Sequence, residues 1–146
     1  MKQFYILILS LLLLNGCSSR YDYFTSNITL QDKHKTVNLS VVADDMYNYI
    51  YKKYNPAQVT IYLYTSGFDK QFIDYLSDRL REGGFGVTSD NSVKELFYVS
   101  YNIINNDDSI MAIWNIGSSK ITRIYKVVDG QLIQTGETVG FNLQGS

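Results

Sequence analysis

Apolar and polar positions along the chain fall into blocks with different periods. The first block, Phe4 to Leu14, is apolar apart from Ser10 and follows a single positive charge, Lys2. From Ser18 to about Thr36 the chain is polar with no sustained period, which reads as a tether. Within it, Tyr21, Tyr23 and Phe24 are suited to docking as an extended segment, and Ile28 and Leu30 to adding a strand. Val42, Met46, Tyr49 and Ile50 then recur at i, i+4, i+7 and i+8, the core-facing stripe of a helix over about 39–54. Asn38 or Ser40 is its N-cap, Asp44 and Asp45 near its start and Lys52 and Lys53 in its last turn suit the macrodipole, and Pro56 bars its continuation.

Strict alternation follows over 59–64. Val59, Ile61 and Leu63 share one side of a strand, and Thr60, Tyr62 and Tyr64 the other. Phe68, Phe72, Leu76 and Leu80 repeat every four residues with Ile73 beside them, giving a second helix. Ser66-x-x-Asp69 approximates a capping box at its start, and Gly83-Gly84 ends it before a short strand, Phe85-Gly86-Val87. The remainder predicts four strands over 95–104, 109–116, 120–128 and 131–141. Asn105-Asn106-Asp107-Asp108, Gly117-Ser118 and Asp129-Gly130 separate them; Gly-Ser suits a type II′ turn and Asp-Gly a type I′ turn. The fold class expected is α+β: two helices packed on a mostly antiparallel sheet. Some strands are apolar on both sides, with Ile110, Ala112 and Trp114 backed by Met111 and Ile113. Two helices cannot cover both faces, so part of the sheet is expected to meet a partner.

The first block has the layout of a secretory signal peptide, and is too short for a transmembrane helix, which needs about 20 apolar residues. It ends in Leu14-Asn15-Gly16-Cys17, which resembles the lipobox of bacterial lipoproteins. The resemblance implies cleavage after residue 16 and a diacylglycerol on Cys17, with several acyl chains giving stable anchoring. Ser18 after the cysteine favours the outer membrane over the inner one by the same resemblance. The organisation expected is a signal peptide over 1–16, a lipidated N-terminus and flexible tether over 17–37, and a globular domain over 38–146. A tether of some twenty residues reaches ~70 Å when extended. With the only cysteine acylated, no disulfide forms.

Charge and composition narrow the function further. Loss of Lys2 leaves 12 basic against 14 acidic residues, with no basic patch, which argues against nucleic-acid binding. Thirteen tyrosines suit an interface, since each pairs a large contact area with a polar tip. Catalytic chemistry is absent from the pattern. His34, the only histidine, lies between Lys33 and Lys35 in the presumed tether and reads as solvated. One histidine and one acylated cysteine cannot build a Cys-His or Ser-His-Asp site or a zinc centre. Asp74 and Asp78, at i, i+4, read as the solvated face of the second helix, and Asp107-Asp108 as turn residues rather than calcium ligands. Gly83-Gly84-Phe85-Gly86 reads as a helix stop, not a phosphate loop. No enzyme, no small-molecule substrate and no cofactor beyond the covalent lipid on Cys17 are expected.

Several short motifs, in order, resemble the TrbH-type lipoproteins of conjugative transfer systems. They are Asn55-Pro56-Ala57, the Phe72–Val87 segment with Leu76, Leu80-Arg81, Gly84 and Phe85-Gly86-Val87, then Phe97-Tyr98-Val99, Ile121-Thr122-Arg123-Ile124-Tyr125 and Gly136. They extend over about 42–139. The order of elements is also similar to the small N0-type domains of secretins. The resemblance implies a structural lipoprotein of a type IV secretion system, anchored in the outer membrane, facing the periplasm and bracing the channel core against other core proteins. Tyr62, Tyr64 and Tyr98 are the expected contact residues. A pilot or assembly lipoprotein and a ligand-binding envelope lipoprotein unrelated to conjugation are the alternatives.

Overall fold

The computed structural model describes residues 26–64 and 69–141. The signal-peptide and lipobox readings, Leu14 to Cys17 included, lie outside the described residues. Among these, seven strands form one sheet: β1 (Asn27–Thr29), β2 (Thr60–Leu63), β3 (Gly86–Thr88), β4 (Leu96–Asn106), β5 (Ser109–Ile116), β6 (Ser119–Val128) and β7 (Gln131–Phe141). Two helices, α1 (Ser40–Lys53) and α2 (Lys70–Glu82), pack against it, so the class is α+β. The strand order is β3-β2-β4-β5-β6-β7. β4 to β7 form an antiparallel meander, while β2 pairs in parallel with both β3 and β4.

β4 is long enough to take two partners on one edge. β2 runs beside Leu96–Val99 and β1 beside Asn102–Ile104, both parallel to it. Between them the Tyr101 N–H donates to the Ser26 hydroxyl (3.4 Å). The stretch expected to be a tether up to residue 37 is therefore part of the domain from Ser26 onward. A 3-10 turn at Asp32–His34 follows β1 and places His34 in the interior, only 5% exposed. Its Nδ1 lies 2.8 Å from Asn105 Oδ1; an amide oxygen only accepts, so Nδ1 is the donor. The reading of His34 as a solvated residue is thus overturned. Flanking lysines marked the segment as polar, and nothing local in the sequence announced a pairing with β4, about seventy residues away.

The turns behave as their residues dictate. Asp129 and Gly130 both have positive φ (50° and 75°), as a type I′ turn requires, whereas at the β5–β6 turn Gly117 alone does (56°). α2 ends in a Schellman arrangement: Gly84 takes φ 88°, its N–H bonds the Arg81 carbonyl, and the Phe85 N–H reaches the Leu80 carbonyl (3.0 Å). Gly83 is there for space, since a Cβ would sit 2.7 Å from the Tyr47 ring of α1.

One core lies between the helices and one face of the sheet. Val42, Ala43, Met46 and Ile50 of α1 and Phe72, Ile73, Leu76 and Leu80 of α2 meet Val99, Tyr101 and Ile103 of β4 and the alternating Ile110, Ala112, Trp114 and Ile116 of β5. Phe72 meets Tyr101 edge-on, with ring centroids 4.7 Å apart. Asp45 ties α1 to β6. The Tyr125 hydroxyl donates to its Oδ2 (2.9 Å), and Arg123 Nη1 lies 3.3 Å from the same oxygen. Arg123 also pairs with Glu137 of β7 and stacks its guanidinium over Trp114. Asp44 holds the helices together through Arg79 Nε (2.9 Å) and the Tyr75 hydroxyl. The two aspartates therefore act mainly as tertiary ligands, more than as neighbours of the helix dipole.

Asp45→Ala leaves the buried Tyr125 hydroxyl without its acceptor and should destabilise the chain by about 1–3 kcal/mol in urea unfolding. Alkaline stability follows from the same cluster. Burial first, and Asp45 second, push the Tyr125 hydroxyl well above its ordinary value of about 10, and burial with Asp69 does the same for Tyr101. Both groups hold protons in the native state that the unfolded chain releases, so stability is intact below about pH 10 and falls as pH rises beyond it. Urea unfolding between pH 8 and pH 11 should show that decline, and Tyr125→Phe should make it shallower.

Candidate interaction face

The pleat sends alternate side chains of every strand to the two faces of the sheet. The odd-numbered residues of β4 point to the helices, so Leu96, Tyr98, Ser100, Asn102 and Ile104 stand on the other face. Strand register extends that face. Tyr62 of β2 lies beside Tyr98, Ile113 of β5 beside Asn102, Met111 beside Ile104, and Ile124 of β6 beside Met111. No described helix covers it. Tyr98, Ile104, Met111, Ile113 and Ile124 are half-buried, in contrast to their fully buried neighbours on the helix side.

The face has an aromatic end and an aliphatic end. The Tyr62 and Tyr98 rings meet with centroids 5.3 Å apart at 55°. Tyr62 is 7% exposed and so supports this end from within, while Tyr64, just past β2, is 42% exposed. Ile104, Met111, Ile113 and Ile124 form the aliphatic end. Between the two, Asn115 Nδ2 donates to the Ser100 hydroxyl (3.1 Å), and the Asn102 and Asn115 Oδ1 atoms accept no hydrogen bond among the described residues. The strand positions turned to this face include Lys120 and Lys126 of β6 and no carboxylate. The acidic groups Asp44, Asp45 and Glu137 lie on the helix side, bound to Arg79 and Arg123.

The other candidate residues have structural partners. Asp74 binds Lys70 (2.6 Å) and Asp78 binds Arg81 (3.4 Å), ordinary surface ion pairs. Asp107, at φ 53°, makes the β4–β5 turn with Asp108. Asp108 reaches Lys33 Nζ (2.9 Å), a hydrogen bond that holds its carboxyl below the usual carboxylate range. Among the described residues no group of three or more His, Cys, Asp or Glu side chains could hold a metal ion. None of the described helices is long and apolar enough to cross a membrane. A groove of about 740 Å³ opens where both helices begin, lined by Ile28, Leu30, Val37, Leu39, Phe72 and Asp69 among others. Asp69 is 7% exposed, and its Oδ2 accepts the Tyr101 hydroxyl at 3.4 Å.

Two features escaped the sequence pattern. One was the burial of His34. The other was the convergence of Arg123 and Tyr125 on Asp45, whose signal was their i, i+2 spacing on one side of a strand facing an acidic position of an amphipathic helix. Both belong to the motif Ile121-Thr122-Arg123-Ile124-Tyr125, which thereby has a structural cause.

In this small α+β domain no described helix covers one sheet face, and several motif residues are spent on packing. The family model of the conjugal transfer protein TrbH matches residues 18–141, and the chain belongs to that family. It is thus a protein of conjugal transfer. No curated protein and no solved structure matches it.

His34→Ala removes the buried one of two side-chain bonds between the N-terminal segment and the β4–β5 hairpin, the other being Lys33 to Asp108. Trypsin cleavage at Lys33 and Lys35 should then quicken several-fold under native conditions, the counterpart of about 1 kcal/mol lost from that segment alone.

Proposed function

We propose that the chain is a structural lipoprotein of the conjugation apparatus, anchored in the outer membrane through acylated Cys17 and bracing the channel core of a type IV secretion system with its open sheet face. The observation that carries this reading is the face itself, in a member of a conjugal transfer family. Four aliphatic side chains and three tyrosines lie on or beside a sheet whose other side is filled by both helices. A patch of that kind on a small domain marks a protein contact. Tyr64 and Tyr98 are the contact residues, and Tyr62 holds Tyr98 in place.

The segment from Ser26 onward is already paired into the sheet, which changes the geometry of anchoring. Only about nine residues separate Cys17 from Ser26, and at 3.3–3.6 Å each they span at most ~32 Å. The domain therefore works close to the membrane surface, at about half the height that a tether ending near residue 37 allows. Partners are met within that layer, and the other core proteins of the channel are the partners proposed.

The test is affinity purification of the full chain, tagged at its C-terminus, from membranes of the native host, with sizing and mass spectrometry. The expected result is recovery in a large complex with channel proteins, lost in Cys17→Ser and weakened at least tenfold in Tyr64→Ser. Tyr64 is exposed, so its replacement leaves the fold intact and reads contact alone. Recovery of the chain by itself, or with a single unrelated envelope protein, overturns the reading in favour of a pilot or a ligand-binding lipoprotein.

A further inference from the structure

β7 is an open edge of unusual length. One side of Gln131–Phe141 pairs with β6 along its whole course, and nothing among the described residues pairs with the other. Such an edge presents a row of unsatisfied N–H and C=O groups, which proteins blunt with lysine, proline, brevity, a bulge or an inward-turned charge, and β7 carries the last two alone. β7 has no lysine or proline, and its single charge, Glu137, is turned to the helix side by Arg123. Ile133 and Val139 are 49% and 42% exposed along it. The opposite end of the sheet is the three-residue β3, too short to match β7 in a head-to-tail contact.

The partner that fits the whole edge is a second β7. The β6–β7 register shifts between Ile124 and Tyr125, so that Thr135 is an extra residue and the facing of β7 inverts there. Before the bulge, Leu132 and Gln134 share the helix side and Ile133 the open side; after it, Glu137 and Val139 share the helix side and Gly136 and Thr138 the open side. An antiparallel pair that keeps both sheets continuous must therefore set the stretch before the bulge of one copy against the stretch after it in the other, and a two-fold axis between Thr135 and Gly136 gives the longest such match, 131–140. That register sets Ile133 against Thr138, Leu132 against Val139, and Gln134 against Glu137. The single charge of each strand then meets an amide donor, and the two Glu137 carboxylates stay apart. We propose that two copies of the chain associate through β7 in this register, forming one sheet across the pair with its open faces on the same side. The contact lies at the far end of the sheet from Tyr62, Tyr64 and Tyr98, so it stands or falls independently of the assembly face.

The test places the photo-reactive residue p-benzoylphenylalanine at Thr138 in the full chain and irradiates membranes of the native host. A covalent dimer joined to the 131–134 stretch of the mate is expected. In sedimentation of the purified full chain in mild detergent, a concentration-dependent dimer should weaken at least tenfold in Ile133→Lys, an exposed position that leaves the fold intact. Absence of the dimer adduct, a cross-link mapping elsewhere or to another protein, or a dimer unmoved by Ile133→Lys overturns the proposal.

Discussion

Everything in this domain is arranged around one strand that is longer than its neighbours. β4 spans eleven residues, roughly 36 Å, with β5 along one edge and β2 and β1 end to end along the other. The β-α-β unit of β2, α2 and β3 joins the meander only through the first half of β4. The second half is what captures the N-terminal segment, through β1 and through His34 on Asn105. Shortening β4 by a few residues would leave that segment without a partner.

The second constraint is the count of layers. Two helices of 13 and 14 residues fill one face of the sheet and leave the other without a described cover. Polar chemistry is distributed accordingly. Ion pairs that join different elements gather on the helix side, where Asp44 meets Arg79 and Asp45 meets Arg123 and Tyr125. The other face keeps tyrosines, aliphatic side chains and neutral amides, with Lys120 and Lys126 of β6 as its strand charges. A charged pair fixes how two elements of one chain sit together, whereas an apolar face with scattered amides suits a contact made after folding.

The resemblance to the conjugal transfer family becomes intelligible in these terms. Several of the motif residues serve packing. Gly84 supplies the left-handed turn that closes α2, Gly83 beside it gives α1 room to approach, Phe85 is buried, and Arg123 and Tyr125 clasp Asp45. In this chain those positions serve largely to pack two helices on one side of a sheet.

Much was legible from local pattern. Both helices, the β-α-β order, the three hairpin turns of the meander and the α+β class follow from hydrophobic period and turn chemistry, which act between neighbouring residues. The strand over 59–64 was legible only in part. Its alternation implied one buried side, yet Tyr62 is buried with Ile61 and Leu63, because parallel neighbours on both edges bring Tyr98 against it. His34 was misread for a related reason: polar flanks are visible in sequence, and a partner about seventy residues away is not. By itself the sequence determined the elements, since they depend on short-range order. Only the tertiary structure decided which residues close the core, that the segment from Ser26 onward joins the sheet and which face the described helices leave uncovered, because these depend on strand pairing between residues far apart in the chain.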